Sequence, residues 1–285
     1  MDGIIKAYEY KTALLLSMLV MLSLSVSFPA RADGPVYSIG VVPQFDSRRI
    51  QKVWRPILKE LEARTGYKFR LKGSASIPAF EGQFAAGDFD FAYMNPYHFL
   101  KANNGQGYLP MVRDHGRVLQ GILVVHANSP YKDVQQLAEK TIAFPSPNAL
   151  GASLLIRAKL IEDHGLEFEP NYVKSHSSVY LNVLTGRAAA GGGVQGTLNR
   201  QPENIRKQLR VLYKTDELSP HPLAAHPRVP TEVRDKVQAA LLQMGQTAKG
   251  QTMLNEIPIK KVGPASVLDY QSLQALGLDS YYVAN

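Results

Sequence analysis

The stretch Phe144-Pro-Ser-Pro-Asn-Ala-Leu-Gly-Ala-Ser153 carries the most suggestive chemistry in the sequence. Two prolines stiffen the approach to Asn148, and the apolar stripe that follows predicts a helix over 151–164. A helix starting at Asn148, Ala149, Leu150 and Gly151 presents backbone N–H groups that have no acceptor within the helix. Such a terminus can bind a phosphate-like or carboxylate group without a charged side chain. An Asn-capped helix whose amides meet only water has the same sequence, and both readings stand at this level. Tyr93-Met-Asn-Pro-Tyr-His98 offers Asn95 and the hydroxyls of Tyr93 and Tyr97 at the end of a predicted strand. Asn95 also suits the cap of a helix beginning at Pro96. Ser175-His-Ser-Ser178 repeats the theme before another helix, so His176, Ser177 and Ser178 are candidate donors or ordinary loop residues. In Ala188-Ala-Ala-Gly-Gly-Gly-Val-Gln-Gly-Thr197, three glycines fall where a strand is expected to meet a loop, allowing a ligand to approach main chain. Gln195 and Thr197 are the polar side chains placed to reach that ligand.

Other chemistries lack their residues. Without cysteine there is no disulfide, thiolate nucleophile or metal–sulfur site. The seven histidines form no HExxH, so neither a metal nor a cofactor is expected. GxxxxGK[ST] and GxSxG are absent, and Asp88 and Asp90 stand too close in the chain for a glycosidase pair. Binding, not turnover, is the expected activity, with no catalytic residues.

The elements that must position these residues begin after a leader. Lys6 and Lys11 precede an apolar run from Thr12 to Phe28, followed by Ala30-Arg31-Ala32. This predicts a secretory signal peptide over 1–32, and the short run with its serines argues against a retained anchor. Its removal leaves 29 basic and 22 acidic side chains, a net charge of +7. That balance favours an anionic ligand or an anionic membrane surface. No basic cluster with interleaved aromatics appears, so nucleic acid is not an expected partner. Export without cysteine fits a bacterial periplasm.

Val36–Val42, Tyr67–Lys72 and Phe89–Met94 read as strands separated by helices, one of them capped at Asp46 or Ser47. This βαβ rhythm implies a largely parallel sheet with ligand loops at the strand carboxyl ends. The rhythm restarts after a strand at 119–125, with short strands at 141–144, 172–173 and 188–190, and a return strand follows at 210–213. Thr231–Gln246 reads as a surface helix capped by Thr231, and 263–282 as short helical pieces. Two α/β units joined by strands near 120 and 212 place 33–121 and 214–285 in a discontinuous lobe I. Residues 122–213 form an inserted lobe II.

These features together resemble one family: the leader, Ile39-Gly-Val-Val-Pro43, Gly87-Asp-Phe-Asp-Phe-Ala-Tyr-Met-Asn-Pro96, Phe144-Pro-Ser-Pro-Asn148, His176 before its helix, and Leu184-Thr-Gly186 before the glycine run. The family is the PhnD-like phosphate/phosphite/phosphonate-binding proteins of ABC importers, and the resemblance spans essentially the whole mature chain. It implies an α/β architecture, the type II periplasmic binding protein fold, with two α/β lobes joined by two crossover strands and a ligand clamped between them. It also implies an oxyanion at the inserted lobe's helix N-terminus, where Ala149, Leu150 and Gly151 stand in place of a Ser/Thr-rich turn. His176 matches the histidine of the third contact loop, with Ser177 replacing its usual acidic follower. Gln195 falls near the acidic position that holds an aminoalkyl group. Gln44 and Phe45 match the loop after the first strand, and Asn95 and Tyr97 the loop after the third. The implied role is a monomeric periplasmic protein that captures a phosphorus oxyanion and delivers it to an ABC permease, with no membrane insertion once the leader is gone. The alternative is a sensor subunit presenting a small anion signal to a membrane histidine kinase.

Overall fold

The computed structural model describes residues 34–284; the expected leader, 1–32, lies outside the described residues. Two sheets organise the chain. The first has the order β11-β4-β10-β3-β1-β2, built from β1 (Val36–Val41), β2 (Lys68–Lys72), β3 (Phe91–Tyr93), β4 (Leu109–Asp114), β10 (Leu223–Ala225) and β11 (Val262–Pro264). The second has the order β7-β6-β8-β5-β9, from β5 (Leu119–His126), β6 (Thr141–Phe144), β7 (Glu169–Tyr172), β8 (Ala190–Val194) and β9 (Leu209–Leu218). The chain passes from the first sheet to the second between Asp114 and Leu119 and returns between Leu218 and Leu223.

In the first sheet β1 pairs in parallel with β2 and β3, in the register Ile39↔Phe91 and Val41↔Tyr93. Helix α1 (Ser47–Thr65) is capped by Asp46, whose carboxylate accepts from the Arg49 N–H at 3.0 Å. Its Trp54, Ile57, Leu58 and Leu61 recur at helical spacing and are buried in the core with Ile39 and Phe91. Helices α2 (Ile77–Ala85) and α3 (Pro96–Gln106) follow β2 and β3.

The second sheet is covered on both faces, and β5 shows why. Leu123 and Val125 enter one cluster with Ile142, Phe144 and Ile156, whereas Ile122 and Val124 enter another with Val179 and Tyr180. Alternate side chains thus feed opposite cores, and the strand reads as a continuous apolar run. Its covering elements are α4 (Leu155–Glu162) on one face and α5 (His176–Leu184) on the other, followed by the short α6 (Gln195–Asn199) and α7 (Glu203–Arg206).

Several expectations need correction. The glycine run lies inside β8, which extends to Val194, because its missing side chains are filled by neighbouring backbone and rings. The helix expected over 151–164 opens with a π-helical turn, Leu150–Leu154, before α4. Helix α8 (Thr231–Met244) is preceded by Pro230 at the cap position, and the Thr231 hydroxyl accepts from Arg234 instead of capping the helix. Strand β4 and helix α9 (Ala248–Glu256) have no counterpart in the sequence reading. Among the described residues, no helix is long and apolar enough to cross a membrane.

Candidate functional site

Parallel strands end where their loops can converge, and here five loops do so. From the first lobe come Gln44 after β1, Asn95 after β3, and His221 ahead of β10. From the second come the 149–152 main chain after β6 and His176 at the start of α5. Together with Val42, Ile77, Leu119 and Val194 they line an inner chamber of about 20 Å³, room for about one water molecule. A second, outer chamber of about 70 Å³ shares Gln44, Leu119, Val194 and His221 with the first and adds Tyr93, Thr197, Arg117 and Arg200. Both chambers lie between the lobes, beside the first crossing segment.

Asn95 is buried and performs two tasks. Its Oδ1 accepts from the His98 N–H at 2.8 Å, capping α3, and its Nδ2 donates to the Asn148 carbonyl at 3.3 Å across the lobes. The Asn148 side chain, in contrast, does not cap a helix. It donates to Glu81 Oε2 at 3.0 Å and to the Val283 carbonyl at 2.8 Å, and accepts from the Val283 N–H at 2.9 Å. The cap position falls on Ala149, with no side-chain bond, and the first bonds of the turn run from the Ser153 and Leu154 N–H groups to the Ala149 carbonyl. Leu150, Gly151 and Ala152 line the inner chamber, and their amides precede any intrahelical acceptor.

His176 is buried, with Nδ1 3.2 Å from the Thr197 hydroxyl, which also meets the Tyr180 hydroxyl at 2.7 Å. Burial pushes the His176 pKa down to about 4. His221 Nε2 lies 3.0 Å from the Gln44 amide nitrogen and its ring stacks on Tyr93 at 5.4 Å. Burial, reinforced by His98 and His176, pushes the His221 pKa to about 3. Both imidazoles are therefore neutral near pH 7, and the inner chamber contains no formal charge. Ala149 and Leu150 make its wall apolar.

The structure disperses the remaining candidates. Tyr97 turns towards the C-terminal segment: its hydroxyl donates to Asp279 at 2.5 Å and its ring lies 5.7 Å from that of Tyr282. Ser178 bonds Ser175, the α5 cap, at 2.9 Å, and Ser177 is half-buried; neither borders the two chambers. Gln195 donates along its own helix to Asn199 at 2.8 Å. The glycine run serves packing: a side chain on Gly192 would meet the Ala152 carbonyl, and one on Gly191 the Val179 side chain at 2.5 Å. Gly191, Gly193 and Gly196 do stand at dinucleotide-fingerprint spacing, but the first two are inside the strand and leave no phosphate-cradling turn. Asp90 accepts from the Ser38 N–H and hydroxyl, each at 2.8 Å, and from Arg228 at 2.7 Å, a structural brace. His221, Arg117 and Arg200 were missing from the sequence reading. The prolines around Pro220-His-Pro222 were the available signal for His221.

Comparisons with known proteins agree with this architecture. Residues 39–270 match the family described as "ABC transporter, phosphonate, periplasmic substrate-binding protein". A curated relative, the phosphate-import protein PhnD of Mycolicibacterium smegmatis, is 23% identical over 227 residues, 72% of this chain and 71% of the relative. PhnD1 from Prochlorococcus marinus, solved in complex with methylphosphonate, superposes with a TM-score of 0.78 at 15% identity, over 87% of this chain and 99% of the other. A binding-protein component of an ABC phosphonate transporter from Pseudomonas aeruginosa gives 0.76 at 15% identity, over 85% of each chain. The two lobes and their crossing strands are those of a type II periplasmic binding protein, and with the match spanning most of its length the chain belongs to the phosphonate-binding family of ABC-transporter periplasmic substrate-binding proteins.

Proposed function

We propose that this protein is exported, loses residues 1–32, and captures a phosphorus oxyanion in the periplasm for delivery to an ABC importer. The ligand class is phosphate, phosphite or a phosphonate. The observation that carries this reading is the inner chamber between the lobes, lined by Gln44 and Asn95 from one lobe and by residues 149–152 and His176 from the other, with Gln44 shared with the adjoining outer chamber. Family membership and the phosphorus ligands named for two relatives support the ligand class.

Binding then works as follows. A ligand captured by the loops of one lobe recruits the other by rotation about the segments 114–119 and 218–223. Closure excludes water, which strengthens every hydrogen bond to the anion. The closed face, which differs in shape from the open one, is what a membrane permease reads. No step requires bond making.

Calorimetric titration tests the proposal on the 33–285 chain, stripped of ligand by unfolding and refolding. Phosphate, phosphite, methylphosphonate, 2-aminoethylphosphonate, sulfate and small carboxylates form the panel. Micromolar or tighter binding of at least one phosphorus oxyanion is expected. A folded protein that ignores every phosphorus compound would overturn the ligand class while leaving the binding fold intact.

A further inference from the structure

Several surface helices of this protein neutralise their cations along the chain. Arg64 pairs with Glu60 at 2.8 Å, Lys159 with Asp163 at 3.2 Å, Lys207 with Glu203 at 2.8 Å and Lys236 with Glu232 at 2.9 Å, each four residues apart on one helix. One face of α1 departs from that pattern. Arg48, Lys52, Arg55 and Lys59 are exposed and recur at i, i+4, i+7 and i+11, a single stripe opposite the buried Trp54, Ile57 and Leu61. The ion pairs that α1 does make, Glu60 with Arg64 and with Lys249, lie off this stripe. Arg55 meets a neutral acceptor, the Gln51 amide oxygen, at 2.9 Å.

The stripe works against the helix that carries it. Arg48 with Lys52, and Arg55 with Lys59, are like charges four residues apart, and each pair is unfavourable. Arg48 and Arg49 also fall in the first turn, at the positive end of the helix dipole, and that turn holds no acidic residue. Two shallow grooves flank the stripe, of about 400 Å³ and about 360 Å³. Arg48, Lys52, Arg55 and Lys59 line the first; Arg55 and Lys59 also line the second, which adds Arg70, exposed on the edge strand β2. Glu62, the carboxylate on the second groove's wall, is engaged in accepting from the Phe69 N–H at 2.9 Å. Large apolar side chains are exposed elsewhere, as at Leu268 and Ile161, but among the described residues none lies on α1 or β2. A protein interface gains its affinity from an apolar core inside a polar rim, and this face has no such core. A layer of anionic headgroups needs none, because it meets the cations through charge alone.

We propose that the α1 stripe and Arg70 form a docking face for an anionic lipid surface, on which the protein rests without insertion. The lipid phosphodiesters supply the negative charge that the helix lacks. Helix α1 begins three residues after Gln44, so a protein adsorbed along it keeps the cleft beside the lipid. Delivery to a membrane partner then becomes a search over a surface instead of a volume. This inference goes beyond the ligand reading and stands or falls separately from it.

Co-sedimentation of the 33–285 chain with lipid vesicles is the test, comparing phosphatidylcholine alone with phosphatidylcholine containing about 30% phosphatidylglycerol. The unmodified chain should bind the anionic vesicles and not the neutral ones, and added salt should weaken the binding. K52Q/R55Q/K59Q should weaken it roughly 100-fold, about fivefold for each cation taken from an anionic surface. Its unfolding midpoint should equal or exceed that of the unmodified chain, because repulsion along the helix is relieved. K132Q/K140Q/R206Q removes the same charge from exposed positions of the second lobe and should weaken binding by less than about fivefold. Equal losses for the two triple variants would overturn the docking face and leave net charge as the cause. Failure to bind the anionic vesicles, together with retention on immobilised polyglutamate that K52Q/R55Q/K59Q loses, would overturn the lipid assignment in favour of an acidic protein partner.

Discussion

His176 and His221 approach the same apolar chamber from opposite lobes, and no carboxylate stabilises either as a cation. Their folded-state pKa values, about 4 and about 3, lie below the ordinary 6.5 of an unfolded chain. The unfolded state therefore binds more protons between those values, and stability is lost as pH falls through 6.5 towards 4. Each histidine should remove about 2 kcal/mol of folding stability between pH 7 and pH 5. Urea denaturation at the two pH values should show a smaller drop for H221N than for the unmodified chain; equal drops would mean that His221 is not held neutral. At this scale the sequence was informative about residue type and silent about partners. Asn95 was readable because its cap bond to His98 is three residues away. The partners of Asn148 were not legible because Glu81 and Val283, which hold its side chain, lie 67 and 135 residues away. Ala149 and Leu150 signalled an apolar turn, but His221, Arg117 and Arg200, which line the adjoining outer chamber, come from outside every motif.

At the scale of elements, local periodicity identified most strands and helices, since each repeats its apolar residues within a few positions. It failed where tertiary packing sets the geometry. Strand β4 includes Pro110, which argues against a central strand, yet its ladder with β10 is irregular at that point, with Leu223↔Val112 followed by Ala224↔Pro110. The glycine run looked like a binding loop because its packing partners are remote. Gly192 shows the physical reason: its absent side chain leaves space for the Ala152 carbonyl of the π-helical turn and for the Phe144 ring. A methyl there presses on backbone that has little freedom to yield. G192A should destabilise the fold by about 1–3 kcal/mol, the range for overpacked cores. At Gly196, where a methyl meets nothing within 4 Å, G196A should be neutral or slightly stabilising. Denaturant midpoints decide, and equal midpoints for the two variants would show that the β8 glycines are not packing residues.

At the scale of the molecule, two lobes must stay associated yet move, and the bonds between them are not confined to the cleft. The C-terminal segment anchors on the first lobe through Asp279, which accepts from Tyr97 and pairs with Lys101, and through Tyr282, which packs on Tyr97. From there it reaches the second lobe: Val283 exchanges two hydrogen bonds with the Asn148 side chain, and the Tyr281 carbonyl accepts from Arg157 at 2.8 Å. Asn148 also donates to the first-lobe Glu81, so one buried amide ties the turn beside the inner chamber to two parts of the opposite lobe. Removing it would leave buried polar groups with fewer partners, a cost of about 1–3 kcal/mol that falls on the lobe contact more than on either core. N148A should therefore speed amide exchange at Val283 by roughly tenfold or more, each 1.4 kcal/mol being a factor of ten. Val124, deep in β5, should keep its protection, since its strand pairs run to β8 and β9 alone. Unchanged exchange at Val283 would mean that the segment is held by its first-lobe anchors and that Asn148 does not couple the lobes. Equal acceleration at Val283 and Val124 would place the loss in the whole fold. Acceleration confined to Val283 would identify the C-terminal segment as the part of the lobe interface that opens first.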